Sequence, residues 1–144
     1  MAIVPFRWVL REATHDVHQR LHRHDGFATI QNTTIDIASY RRLLIRLYGF
    51  YVPFETVADI GRDRNAWLEH DLRALGLGRQ ELGAIAICND IPSLMSADAR
   101  LGALYVVEGS ALGGRDLGRN LDRLLGWETI NGRRFCLGRG SGTG

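Results

Sequence analysis

The stretch Tyr105-Val106-Val107-Glu108-Gly109-Ser110-Ala111-Leu112-Gly113-Gly114 decides how this chain is read. An apolar helical pattern containing Leu101, Leu104 and Tyr105 leads into it, and a second, built on Leu117, Leu121, Leu124 and Leu125, comes after it. A glycine inside a helix costs about 1 kcal/mol relative to alanine, and Gly102, Gly109, Gly113, Gly114 and Gly118 each forgo that propensity. Something must offset the loss. Gly109 and Gly113 stand four residues apart and share a helical face with no Cβ to hold a neighbour away; Gly114 and Gly118 form an adjacent pair. Close helix packing and close approach of a flat ligand use the same geometry. A phosphate loop does not fit, because the Lys-Ser/Thr pair and a preceding strand are both missing.

The rest of the chain reads as all-helical. Apolar residues recur at spacings of three and four, strand-like alternation is scarce, and 144 residues suffice for one domain with a real core. A first helix is expected over about residues 7–23, with Leu10, Thr14, Val17 and Leu21 facing inward and Asp25-Gly26 as the stop. Thr33 or Thr34 is expected to cap a second helix, with Asp36 in its first turn and Ile37, Tyr40, Leu44, Leu47, Tyr51 and Phe54 on its buried face. Pro53 frees the carbonyl of Gly49, so a bend or loosening is expected there. Asn65 is expected to cap a segment through Leu75, and another runs from about Gln80 to Cys88. Ser96 or Asp98 opens the long glycine-bearing helix, with turns expected at Gly113-Gly114. Residues 1–131 are read as the helical domain, and residues 132–144 as a glycine-rich mobile tail or the start of a further segment.

Composition narrows the classes of function. Eighteen basic residues against sixteen acidic ones give a net charge of +2, too even a balance to argue for nucleic acid. Arg115, Arg119, Arg123, Arg133, Arg134 and Arg139 make the last third more basic, which suits a solvated surface or an acidic partner. Cys88 and Cys136 lack CxxC spacing and read as free thiols of a cytoplasmic chain. No uncharged apolar run is long enough to span a membrane, and the apolar start is cut short by Arg11 and Glu12. A monomer or weak homo-oligomer is expected.

The segment Leu10-Arg11-Glu12-Ala13-Thr14-His15-Asp16-Val17-His18 puts His18 beside an apolar stripe, where one ring nitrogen could meet iron and the other a hydrogen-bond acceptor. His18 and His22 also form an i,i+4 pair with zinc-ligand spacing, although no second ligand motif accompanies it.

Residues 10–24 and 96–125 resemble the haem oxygenase family, particularly the bacterial members associated with bilin-dependent red-light photoreceptors. Its two anchors are Glu12-Ala13-Thr14 followed by His18, and Gly109 followed by Gly113-Gly114; residues 40–55 resemble the family's second helix. The resemblance implies a haem oxygenase-like all-α fold, with haem between a proximal helix and a distal helix kinked at glycines. It implies conversion of haem, as both substrate and cofactor, with dioxygen and external electrons to biliverdin, carbon monoxide and ferrous iron. By the same resemblance His18 is the iron ligand, Gly109, Gly113 and Gly114 contact haem, and Arg11 and His15 approach its propionates. Ser110 stands where many members carry a distal aspartate, and Tyr51 resembles a distal tyrosine that shares a water network with it. His22 takes a position that is often acidic and able to tune the proximal imidazole. No flavin or nicotinamide fingerprint occurs, so a separate ferredoxin or reductase is the implied electron donor and a bilin-binding photoreceptor a candidate recipient. The alternatives are a haem-binding or haem-transfer protein without turnover and a haem-free helical interaction protein.

Overall fold

The computed structural model describes residues 4–139, and every regular element among them is a helix. In chain order these are α1 (Phe6–Arg23), α2 (Asp25–Gln31), α3 (Ile37–Ala58), α4 (Asp63–Ala74), α5 (Arg79–Gly83), α6 (Ala97–Arg119), α7 (Asp122–Leu125) and α8 (Arg134–Leu137). No helix among the described residues is long and apolar enough to cross a membrane.

The core is built on α3. Tyr40, Leu44, Tyr51, Phe54 and Ala58 recur at helical spacing and are buried, meeting Leu68 and Leu72 of α4. Asp36, rather than Thr33 or Thr34, caps this helix, its Oδ1 accepting the Ser39 N–H at 2.7 Å. Thr33 occupies a left-handed turn at φ 57°, uncommon for a β-branched residue. α3 continues through Pro53. The Gly49 carbonyl that Pro53 leaves without a helical donor accepts the Cys88 N–H at 2.9 Å, so a loop replaces the missing bond. A Cβ on Gly49 would collide with the Ala86 carbonyl oxygen, which explains the glycine. The same contact ends the helix expected through Cys88: α5 stops at Gly83, and the backbone of residues 86–88 runs along α3.

Two further expectations are corrected. The chain turns at His24 but resumes at once as α2, whose start is capped by His24 Nδ1 accepting the Gly26 N–H at 3.2 Å. Asp25-Gly26 is therefore a helix start as well as a stop. Residues 132–138 are no loose tail either. α8 packs on α4 and α6, with Cys136 buried and Arg133 only 4% exposed.

Buried polar groups hold this C-terminal turn. Asp71, fully buried on α4, accepts the backbone N–H groups of Arg134 at 2.7 Å and Phe135 at 2.8 Å, satisfying donors at the start of α8. Burial pushes the Asp71 carboxyl above its ordinary range, against these two bonds that favour its charged form. Arg133 donates to the Gly118 carbonyl at 2.7 Å, to Asp122 at 2.5 Å and to the Gly126 carbonyl at 2.5 Å, tying the end of α6 to both ends of α7. The Tyr40 hydroxyl donates to the Gly132 carbonyl at 2.6 Å. The remainder of the expected tail, residues 140–144, lies outside the described residues.

α1 has a different setting. It packs on α2 and not broadly on α6, and none of its residues is buried. Its inward stripe was expected to be Leu10, Thr14, Val17 and Leu21; Leu10 and Thr14 are half-buried, whereas Val17 and Leu21 are exposed. The apolar residues of α1 occur at helical spacing, but no protein core covers them.

Candidate functional site

α6 begins at Ser96, whose hydroxyl accepts the Ala99 N–H at 3.0 Å, and it remains helical to Arg119. The turns expected at Gly113-Gly114 do not interrupt it. The two glycine pairs serve different surroundings. A Cβ on Gly114 would lie 3.0 Å from the Cys136 carbonyl oxygen, and one on Gly118 would lie 3.3 Å from the Cys136 Cβ. That pair lets α8 approach the helix backbone. A Cβ on Gly109 or Gly113 would meet no such neighbour within 4 Å. Helix packing thus accounts for Gly114 and Gly118 and leaves Gly109 and Gly113, with their share of forgone helix propensity, on an open face.

Val106 and Leu112 are exposed at helical spacing from Gly109 on α6, and Val9, Val17 and Leu21 are exposed on the separate helix α1. His18 is exposed on α1, and its ring lies 4.5 Å from that of His22, edge to face at 66°. His15 is also exposed. The guanidinium of Arg11 lies over the Trp8 ring, 5.4 Å from its centre, so its nearest aromatic partner is on its own helix.

Ser110 and Tyr51 are brought together across α6 and α3. Tyr51 is buried, edge-on to Phe135 at 5.4 Å and to Phe54 at 6.0 Å between ring centres. Burial raises its phenol above the ordinary value, while hydrogen bonding with Ser110 and the nearby Arg64 charge act in the opposite direction. The Ser110 hydroxyl donates to the Val107 carbonyl of its own helix at 2.8 Å. Tyr51 is therefore a core aromatic whose polar end lies beside Ser110 of α6.

A buried charge network beside this pair was not expected from the sequence. Glu55, one turn beyond Tyr51, accepts the N–H groups of Arg64 at 2.9 Å and Asn65 at 3.2 Å; Asn65 is a donor to Glu55 and does not cap α4, which starts at Asp63. Arg64 in turn donates to Glu108 of α6 at 3.3 Å. Burial raises the Glu55 carboxyl, and the backbone donors and the Arg64 charge oppose the rise. The available signal was an acidic residue inside an apolar stripe, since Glu55 lies between Phe54 and Ala58 on the face that α3 buries.

Two cavities of about 410 Å³ each lie away from the glycine face, one lined by Thr33, Thr34, Ile35, Asn120, Arg123 and Leu124, the other by residues that include Arg64, Arg100, Leu104 and Glu108. Neither is lined by His18, Gly109 or Gly113. The features at those three residues are surfaces and a bare imidazole.

A flat, largely apolar ring system with a metal centre fits this donor set. Gly109 and Gly113 would let it reach the α6 backbone, exposed aliphatic side chains would cover it, and the exposed imidazole of His18 would supply one metal ligand. Comparison with known proteins leads the same way. No curated protein and no solved structure matches the chain. A family model described as Heme oxygenase matches residues 5–137, a span that runs from the start of α1 to the end of α8. With that match over most of its length, the chain belongs to the haem oxygenase family.

Proposed function

We propose that this chain is a catalytic haem oxygenase, taking haem as substrate and releasing biliverdin, carbon monoxide and ferrous iron. The open pair Gly109 and Gly113 carries the reading, because the same helix spends its other glycine pair on contact with α8. Bound haem supplies the iron at which dioxygen is activated, and its own ring is what is oxidised. The protein's part is to hold the ring, limit water and place protons.

His18 would ligate the iron from α1. Arg11 and His15, exposed on the same helix, would meet the propionate edge, and for Arg11 that contact competes with the Trp8 face it now covers. Val17, Leu21, Val106 and Leu112 would exclude water from the ring. On the α6 side, the Ser110 hydroxyl and the Tyr51 phenol are the groups able to hold a water or pass a proton. Electrons would come from a separate ferredoxin or reductase, and a bilin-binding photoreceptor is a proposed recipient of the product.

The decisive experiment is titration with ferric haem, followed by addition of reductant and oxygen with catalase present, and extraction of pigment. A one-to-one complex that yields biliverdin is expected. His18→Ala should abolish the iron–histidine stretch in the resonance Raman spectrum of the ferrous complex while leaving helix content unchanged, since alanine is the best helix former. Persistence of the stretch, with its loss in His22→Ala, would exchange the roles of the two histidines.

One observation favours a haem-binding or haem-transfer protein without turnover. The Ser110 hydroxyl donates to the Val107 carbonyl of its own helix and carries no charge, where a carboxylate would have been a charged acceptor. A stable haem complex that only bleaches nonspecifically would decide for that reading. Absence of any saturable complex would decide for a haem-free interaction protein.

A further inference from the structure

His18 and His22 stand on successive turns of α1, both are exposed, and their ring centres are 4.5 Å apart. Two imidazoles bound side by side on one ion, with metal–nitrogen bonds of about 2.0–2.1 Å, have ring centres about 4.5 Å apart at a right angle and about 5 Å apart at the tetrahedral angle of zinc. The two rings stand within about 1 Å of the separation that shared coordination needs, and rotation of these exposed side chains can turn a nitrogen of each toward one ion. We propose that His18 and His22 form a two-arm chelate for a borderline divalent transition ion such as zinc, nickel or copper, and that an ion bound there withholds His18 from haem.

The chemistry of the pair sets the class of ion. Imidazole nitrogen suits zinc, nickel and copper and is a poor ligand for magnesium or calcium, which take oxygen. Among the described residues no group of three or more His, Cys, Asp or Glu side chains is placed to hold a metal, so water completes the coordination. The result is an open, exchangeable site without the four protein ligands of a structural zinc centre. Such a site binds its ion loosely enough to respond to its concentration.

The setting of α1 gives the ion a second effect. No residue of this helix is buried, so tertiary packing, the main source of helical stability in proteins, contributes little to it. An ion that bridges two turns binds the helical form more tightly than the unfolded one, and so stabilises the helix by mass action. The chelate orders α1 while it blocks the imidazole. That the block matters to haem rests on the proposed function; the chelate itself does not.

The test uses the full chain, free of haem, titrated with zinc sulfate by calorimetry while amide exchange is followed in α1. One saturable zinc per chain and slowed exchange in residues 15–23 are expected. His22→Ala, at an exposed position, should weaken zinc binding at least tenfold with unchanged helix content, whereas His24→Ala should leave it within twofold. Zinc affinity unaffected by His22→Ala overturns the chelate. In the second arm ferric haem is titrated with zinc present. Saturating zinc should weaken apparent haem affinity at least tenfold in the natural chain and less than threefold in His22→Ala. Equal haem affinity with and without zinc overturns the competition. A chain that takes zinc through both histidines but no haem retains the chelate and removes the proposed function.

Discussion

Two stretches of α6, five residues apart, use glycine for opposite ends. Around Gly114 and Gly118 the helix is covered by α8, held from below by Asp71 and from the side by Arg133. Around Gly109 and Gly113 it is bare. The same division runs through the molecule: α3, α4 and α8 enclose a core in which even charged groups are hydrogen-bonded, whereas α1 contributes no buried residue. Stability resides in the first region. The second is where haem would bind, and surfaces kept free for a ligand do not contribute to the haem-free fold. Substitutions should therefore separate cleanly into those that unfold the protein and those that disable the site.

Asp71→Ala should give the largest effect. It leaves the N–H groups of Arg134 and Phe135 without partners in the interior, at about 1–3 kcal/mol for each, and frees α8 from α4. A loss of about 2–5 kcal/mol in urea unfolding is expected, with faster amide exchange in residues 133–138. A loss under about 1 kcal/mol would mean that Phe135 and Cys136 hold α8 by apolar contact alone.

Leucine placed on each glycine pair tests the comparison directly. Gly114→Leu must displace the Cys136 backbone and should cost about 1–3 kcal/mol. Gly109→Leu meets open space and gains helix propensity, so the haem-free protein should be as stable or more stable by up to about 1 kcal/mol. Its haem affinity should nevertheless fall. Equal destabilisation by the two leucines would show that the Gly109 face is packed in solution, and unchanged haem affinity in Gly109→Leu would show that it faces no ligand.

The core should also reveal itself through alkaline sensitivity. Burial pushes the Cys136 thiol up from its ordinary 9.0 to about 12. Below pH 9 the thiol is protonated in both states and its contribution to stability is complete. As pH rises from 9 toward 12, the unfolded chain releases a proton that the native chain keeps, so stability falls by up to about 1.4 kcal/mol per pH unit. Burial raises the Tyr40 phenol too, adding to the loss at the upper end. Cys136→Ala should be less stable at neutral pH and show a shallower decline between pH 9 and 11. An unaltered slope would assign the alkaline loss to tyrosine alone.

How far the sequence revealed this division depended on the range of the interactions involved. The periodic stripes of α1, α3 and α6 are local patterns, and all three helices occur where those patterns lie. Ser96 was legible as a cap for the same reason. α8 was not. Its glycine-rich flanks resemble a tail, and what fixes it is Asp71, more than sixty residues away along the chain. Asp36 displaced Thr33 and Thr34 because the chain makes one more turn before α3 begins, with Thr33 in a left-handed conformation. Spacing and resemblance named Gly109, Gly113 and His18 for the proposed site, and the structure leaves all three exposed. Spacing could not tell that Gly114 faces α8, because both glycine pairs have the same period and only the partner's position differs.

Ser110→Ala should have the smallest effect on folding and gives the narrowest test of the site. The hydroxyl is on an exposed residue and its hydrogen bond returns to the Val107 carbonyl of the same helix, so stability should change by no more than about 0.5 kcal/mol. Haem affinity should hold as well, because the change adds no bulk to the glycine face and leaves His18 alone. What should change is the fraction of haem recovered as biliverdin, since Tyr51 loses the hydroxyl that opposes the effect of burial on its phenol. The Tyr51 phenol should accordingly titrate higher in the variant, a shift that ultraviolet difference spectra can follow. Ser110→Thr keeps the hydroxyl and should restore the yield. If alanine changes neither the yield nor the phenol's titration, Ser110 serves only the helix, and Tyr51 with the backbone around Gly109 must hold the proton-bearing water without it.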